Sequence, residues 1–341
     1  MRYLKIKPAL NAEAYFADND HRMINYLRVS ITDRCNLRCI YCMPDEGVKF
    51  MSHNEILTYE EILRVVDLCA SHGIRKVRLT GGEPLVRKGI IPFIERLCSI
   101  RGLEEVTLTT NGVLLKEFAH PLRECGISRI NVSMDTLKPE RFYRITRRDN
   151  FDRVWEGIEE AESTGFQPVK INVVAMRGVN DVEIPDFALL TLRKPYHVRF
   201  IEMMPVGVKN SWTAERFISV EEILSMIRRV GHITPLDSRL LDGPAQRYSL
   251  EGAKGEIGLI GAISRPFCGK CNRLRMTAEG HLKGCLFSEQ ETDIKTPLRK
   301  GKCDRYLLEL IKNTVFNKPK NHGLDNYSPR KCVRSMNSIG G

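Results

Sequence analysis

The sequence predicts an α/β protein, an incomplete (β/α)6 TIM-like barrel of parallel strands closed by an irregular C-terminal domain. Three observations carry that expectation. Short β-branched runs alternate with longer helical patterns from residue 26 to about 235. Glycine and polar residues recur where those runs end, and the alternation stops after Gly243. Successive right-handed βα units curl into a barrel or part of one.

Taken in order, the expected strands are 27–31, 77–80, 106–110, 130–133, 169–174 and 198–202. Between the first two, Thr58 and Glu61 form a capping box ahead of Ile62, Val65, Val66 and Cys69, and Gly73 supplies the stop. Further helical patterns run over 154–163, closed by Gly165, and over 220–230. Beyond Gly243, the glycines at 252, 255, 258 and 261 and a second group of cysteines make the pattern too ragged for βα units. The expected organisation is an N-terminal extension over 1–24, the barrel over 25–239 and a C-terminal domain over 240–341. Lys318-Pro319-Lys320 reads as a solvated loop.

With 341 residues, 42% of them hydrophobic, the chain can bury a full core. Its longest apolar stretches, such as 187–192, fall far short of the roughly 20 residues of a membrane span. Glu13, Asp18 and Asp20 near the start suit neither a secretory signal nor an acid-poor transit sequence, so the expected location is cytoplasmic. A formal net charge of +11 asks for an acidic partner: nucleic acid, a membrane surface or a phosphorylated small molecule. Charge alone does not choose among them.

Eleven cysteines in a reducing compartment point to metal or catalysis rather than disulfides. Six fall into two groups, Cys35, Cys39, Cys42 and Cys268, Cys271, Cys285, while Cys69, Cys98 and Cys125 suit small buried hydrophobes. The C-x3-C-x2-C loop directly after the first strand can hold three corners of an iron-sulfur cubane and leave one iron open to an outside ligand. A structural zinc site is the bland alternative, but it wants four ligands. The second group again offers three thiolates. It could hold an open cluster that ligates a substrate, or a zinc completed by His281, the histidine close to it in sequence.

Thr80-Gly81-Gly82-Glu83-Pro84, Thr109-Thr110-Asn111-Gly112, Ser133-Met134-Asp135 and Glu202-Met203-Met204 all fall at strand ends, the edge at which parallel sheets bind ligands. In Arg273-Leu274-Arg275 the two arginines project to one side of an extended backbone and can grip a polyphosphate. Arg28, Arg78, Lys170 and Arg199 alternate with apolar neighbours, and pointing inward they would need an anion. The closing Gly340-Gly341 reads on its own as a frayed tail.

DRCNLRCIYCMP, LTGGEPLVR, LTTNG, NVSMDTL, RFIEMMPVG, FCGKCNRLRMT, GCLF and the terminal MNSIGG together resemble the GTP 3′,8-cyclase family of molybdenum cofactor biosynthesis, within the radical S-adenosylmethionine superfamily. The resemblance runs from Asn25 onward and is loosest from about 207 to 255. It implies two [4Fe-4S] clusters, one on Cys35, Cys39 and Cys42 and one on Cys268, Cys271 and Cys285. It also implies S-adenosylmethionine contacts at Tyr41, Gly82, Ser133 and Met204, and GTP contacts at Arg28, Arg78, Thr109, Lys170, Arg273, Leu274 and Arg275. The diglycine matches a segment that reaches the family's active site, while Cys303 and Cys332 match nothing. In the family's reaction a 5′-deoxyadenosyl radical removes H3′ of GTP and C3′ attacks guanine C8. The resemblance further implies an electron donor such as flavodoxin or ferredoxin, a homodimer, and a pyranopterin monophosphate synthase downstream. It implies neither nucleic acid nor membrane as partner. The competing expectations are a peptide- or RNA-modifying radical enzyme with an auxiliary cluster, and a non-catalytic nucleic-acid-binding cluster protein. The second leaves the Gly-Gly-Glu-Pro loop unexplained.

Overall fold

The computed structural model describes residues 15–206, 212–237, 243–323 and 336–339. Most of the expected N-terminal extension, Cys332 and the terminal diglycine lie outside the described residues. Strands β1 (Tyr26–Ser30), β2 (Lys76–Thr80), β3 (Glu105–Thr110), β4 (Arg129–Ser133), β5 (Lys170–Ala175) and β6 (His197–Glu202) pair in that order, all parallel. Helices α1 (Tyr59–Ser71), α2 (Ile90–Cys98), α3 (Leu115–Glu124), α4 (Pro139–Thr146), α5 (Phe151–Ser163) and α6 (Ile184–Arg193) fill the crossovers, and α7 (Val220–Arg228) follows β6.

Local chemistry explains the helices that are plain in the sequence. At the start of α1 the Thr58 amide donates to Glu61 Oε2 at 2.7 Å and the Glu61 amide donates to Thr58 Oγ1 at 3.2 Å. Gly73 ends the turn at φ +99°, a conformation that favours glycine. Helix α7 begins with the same reciprocal pair, Ser219 and Glu222. By contrast α3 carries Pro121 inside it, and α4 buries only Phe142, Ile145 and Thr146 of a strongly charged octet. Neither has a side-chain cap, and neither shows the long periodic stripe that reveals a helix in sequence.

The C-terminal segment is more regular than its glycines suggest. Strands β7 (Ile233–Leu236), β8 (Gln246–Leu250) and β9 (Glu256–Ile260) extend one edge of the sheet, with β9 parallel to β6. Strands β10 (Arg273–Met276), β11 (His281–Lys283) and β12 (Thr292–Asp293) extend the other, with β10 parallel to β1. The order is β12-β11-β10-β1-β2-β3-β4-β5-β6-β9-β8-β7, an open sheet in which every neighbouring pair from β10 to β9 is parallel. Two glycines that read as irregularity are close-approach positions: a Cβ on Gly255 would stand 2.1 Å from the Tyr196 carbonyl oxygen, and one on Gly258 3.0 Å from Arg199 Cγ. Helices α8 (Lys295–Arg299) and α9 (Asp304–Phe316) follow, α9 burying Leu307, Ile311 and Val315. Among the described residues no helix is long and apolar enough to cross a membrane.

Candidate active site

Three buried glutamates tie down the loops at the carboxyl ends of the strands. Glu83, 1% exposed, accepts from Thr110 Oγ1 at 2.7 Å, the Asn111 amide at 2.6 Å and the Leu85 amide at 3.1 Å. Burial pushes its carboxyl up to about 7, against those hydrogen bonds. Glu183 gathers Thr136 Oγ1, the Leu137 amide and Arg141. Glu202 joins β6 to the start of α7 through the Val220 amide and to the loop after β9 through Ile263 and Ser264.

The first cysteine loop is clasped from both sides. The Gly82 amide donates to the Thr32 carbonyl at 2.7 Å and the Glu83 amide to that of Arg34 at 2.8 Å, while Arg38 and Ile40 donate to Thr146 and Ile145 at the end of α4. The glycine pair is required by this clasp: a Cβ on Gly82 would lie 2.4 Å from the Arg34 oxygen, and one on Gly81 2.6 Å from that of Thr32. The missing Cβ atoms thus admit the strap that leads into Cys35. Tyr41, between the second and third cysteines, donates to Asp135 Oδ2 at 2.6 Å, and the Val174 amide donates to the other oxygen at 2.8 Å. Asp135 is a site residue that the motifs leave without a role, although the Ser-Met-Asp triplet places it at a strand end.

Cys35, Cys39 and Cys42 line one cavity with Tyr41, Gly82, Thr109, Ser133 and Met204. Burial and the nearby Glu83 push the Cys35 thiol up to about 11, against donation to its sulfur from the Leu37 amide at 3.4 Å and from Asn111 Nδ2 at 3.6 Å. Burial raises Cys39 and Cys42 as well, joined by Cys42 and Asp135 at Cys39 and by Cys35 and Asp135 at Cys42.

The cavity continues over two rows of basic side chains fixed by strand register. Arg275, Arg28, Arg78 and Thr107 are successive cross-strand partners on β10, β1, β2 and β3, and Arg273, Tyr26, Lys76 and Glu105 form the row below. Neighbouring strands lie about 4.8 Å apart, so like charges in register repel unless an anion meets them. Arg28 is held well below its usual range by burial and by Arg275, and Arg275 falls to about 10 through burial and Arg273. Lys76 is already matched, 2.8 Å from Glu105. The Tyr26 hydroxyl and Asn172 Oδ1, both facing the cavity, have no hydrogen-bond partner among the described residues. Arg199, in register with Asn172, also lines it. Two candidate residues stand outside the lining. Leu274 turns into the hydrophobic core, as strand alternation requires between two inward arginines. Lys170 is buried on the inward face of β5 with Asn172 and Val174, one pleat below them.

Cys268, Cys271 and Cys285 line the same cavity. Burial works to raise Cys271, but Arg273 and Lys318 outweigh it and hold the thiol down at about 7. Two expectations are corrected here. Lys318 is not solvated but 6% exposed, because its ammonium has carbonyl oxygens to meet. The histidine that lines the cavity is His322, whereas His281, on β11, pairs with Glu279 at 3.5 Å outside the lining. Met336 also reaches the cavity, beside buried Ile339, Leu286 and Val206.

Among the described residues no three His, Cys, Asp or Glu side chains converge on a point that would hold one metal ion. The donor sets fit iron-sulfur clusters, whose irons take one thiolate each. Thiols as deeply buried as Cys39 and Cys42 give up their protons to a cationic centre and not to solvent.

Residues 29–191 match the Radical SAM superfamily model, and residues 196–324 match Molybdenum Cofactor Synthesis C. The chain is 50% identical over 327 residues to a protein named GTP 3′,8-cyclase from Heliobacterium modesticaldum, spanning 94% of this chain and 98% of that one. A protein of the same name from Thermodesulfovibrio yellowstonii is 50% identical over 326 residues, 95% of this chain and 99% of that one. Among solved structures, Streptococcus suis SuiB bound to S-adenosylmethionine shares the fold, with a TM-score of 0.56 at 14% identity over 85% of this chain and 68% of that chain. With its cysteine loop, its second triad and the basic rows between them, the chain belongs to the GTP 3′,8-cyclase family of radical S-adenosylmethionine proteins.

Proposed function

We propose that this chain converts GTP to (8S)-3′,8-cyclo-7,8-dihydroguanosine 5′-triphosphate, the first step of molybdenum cofactor synthesis. The observation that carries the reading is one cavity lined by both cysteine triads and by Arg28, Arg78, Arg199, Arg273 and Arg275. When bound, S-adenosylmethionine and the first cluster, reduced by one electron from the donor, would supply a 5′-deoxyadenosyl radical to take H3′ of GTP, and closure of C3′ on guanine C8 would be completed at the 7,8-dihydro level by one further electron and a proton.

The chain's own residues bind, orient and exclude water. In this reading Cys35, Cys39 and Cys42 hold the first cluster, and Tyr41, Gly82, Ser133 and Met204 surround S-adenosylmethionine, the Tyr41 ring being fixed by Asp135. Cys268, Cys271 and Cys285 would hold the second cluster, on the wall of the same cavity. Arg28, Arg78, Arg273 and Arg275 neutralise the triphosphate with charge-assisted, partly bidentate bonds. Thr109 adds a hydroxyl, Leu274 offers only its main chain, and Lys170 supports the wall from below. Buried polar atoms such as the Tyr26 hydroxyl find partners when substrate fills the cavity. Holding the ribose against the cofactor supplies the proximity the hydrogen transfer requires.

The remaining parts of the proposal are a barrel over 25–239 with a cluster-bearing domain over 240–341, a flavodoxin or ferredoxin donor, a homodimer, a cytoplasmic location, and transfer of the product to a pyranopterin monophosphate synthase. The test is replacement of Cys268, Cys271 and Cys285 by Ala. Loss of GTP conversion with first-cluster iron retained is expected; intact conversion would overturn the reading.

A further inference from the structure

Lys318, which follows α9, carries a buried charge that the substrate cavity does not use, for it is absent from the lining. Its Nζ donates to the Arg273 carbonyl oxygen at 2.9 Å and to that of Gly284, and its remaining contact is the Cys271 side chain, with Cys285 the next charge. Arg273 lies two residues after Cys271 and Gly284 one before Cys285, so a single ammonium ties together the two chain segments that bear these ligands. Gly284 makes the approach possible, since a Cβ there would stand 3.2 Å from Lys318 Cα.

Arg22 braces this arrangement from the far side. Its Nε donates to Asp18 Oδ2 at 2.6 Å, Nη1 to the carbonyls of Cys268 at 2.8 Å and Lys320 at 3.1 Å, and Nη2 to those of Pro319 at 2.9 Å and Lys318 at 3.3 Å. All five donors of the guanidinium are thereby used. The N-terminal segment, the cysteine segment and the chain after α9 are locked to one planar group.

We propose that Lys318 is a positioning residue, the fixed counter-charge of the second cluster, braced by Arg22, and that it raises that cluster's reduction potential. The inference rests on the reading that Cys268, Cys271 and Cys285 hold a cluster. One electron makes such a cluster more negative, and in a water-poor site a cation held beside its ligand sulfurs favours the reduced state.

The test uses the full chain, reconstituted anaerobically with iron and sulfide and titrated while electron paramagnetic resonance is recorded. The signal lost on Cys285→Ala identifies the second cluster; its absence from the unsubstituted protein would refute the cluster assignment, and this inference with it. In Lys318→Met, with iron content retained, the second signal is expected to fall in midpoint potential by at least 59 mV, a tenfold change in a one-electron equilibrium, while the first stays in place. If Lys318→Met loses second-cluster iron, restoration by Lys318→Arg supports the charge role, since both variants lose the ammonium's fit but only one loses charge. Iron lost from both variants, or full iron with an unmoved potential, overturns the proposal.

Discussion

Replacing Glu202 by Gln tests how the barrel is joined to the segment that carries the second triad. The buried carboxylate accepts from the Val220 amide at 2.9 Å and the Ser264 hydroxyl on Oε1, and from the Ile263 amide at 2.7 Å and the Ser264 amide at 2.9 Å on Oε2. The amide of Gln must turn its NH2 toward one of these pairs. Facing Oε2's partners it would strand two backbone donors. Facing Oε1's partners it strands only the Val220 amide, because the Ser264 hydroxyl can rotate and accept. The second orientation wins, at about 1–3 kcal/mol for the stranded amide and about 1 kcal/mol for lost charge assistance. A total near 2–4 kcal/mol corresponds to a fall in Tm of about 3–6 °C at this chain length. Glu202→Ala strands all three amides and should cost more. Scanning calorimetry of the two variants gives the order directly. A Gln variant within 1 °C of the parent, or less stable than the Ala variant, would refute the reasoning.

Gly82→Ala drives a Cβ into the Arg34 and Asp33 carbonyls, so about 1–3 kcal/mol of stability and much of the first cluster's iron should be lost together; stable protein with full iron by colorimetric assay would contradict the clasp. Burial raises the Glu83 carboxyl from 4.5 to about 7, a folded pKa above the unfolded one, so its contribution is present in full below pH 4.5 and is lost as pH rises through 7. Urea titrations should therefore show the stability advantage of the parent over Glu83→Gln shrinking by about 3 kcal/mol across that window, and a constant difference would exclude the assignment. Arg273→Ala should weaken GTP binding by about tenfold to a hundredfold with iron content unchanged, since it removes charged hydrogen bonds without touching a thiol; unaltered affinity in anaerobic titration would count against it.

Much of this arrangement is legible in the sequence where the determinants are local. The capping box at Thr58 and Glu61, the stop at Gly73 and the β-branched runs fix α1 and the six strands because each signal acts within a few residues. Strand alternation likewise sends Leu274 to the core while its arginine neighbours face the cavity. What escaped is non-local. Lys318 reads as solvated because its carbonyl partners lie 34 and 45 residues away in the chain, and Arg22 reaches a carbonyl 246 residues distant. Gly255 and Gly258 read as punctuation because their reason, the Tyr196 carbonyl just before β6 and the Arg199 side chain on it, lies about 60 residues earlier in the chain. Asp135 and Glu202 were visible as strand-end acids, but the tyrosine and the amides that they hold come from elsewhere in the fold.

The central claim is that the radical formed in this cavity takes H3′ of GTP. The most direct measurement is anaerobic turnover by the reconstituted protein of GTP deuterated at C3′, with the released 5′-deoxyadenosine analysed by mass. The account predicts deuterium in that product, formed only when GTP is present. Cofactor cleavage indifferent to GTP, or 5′-deoxyadenosine without deuterium, would contradict it.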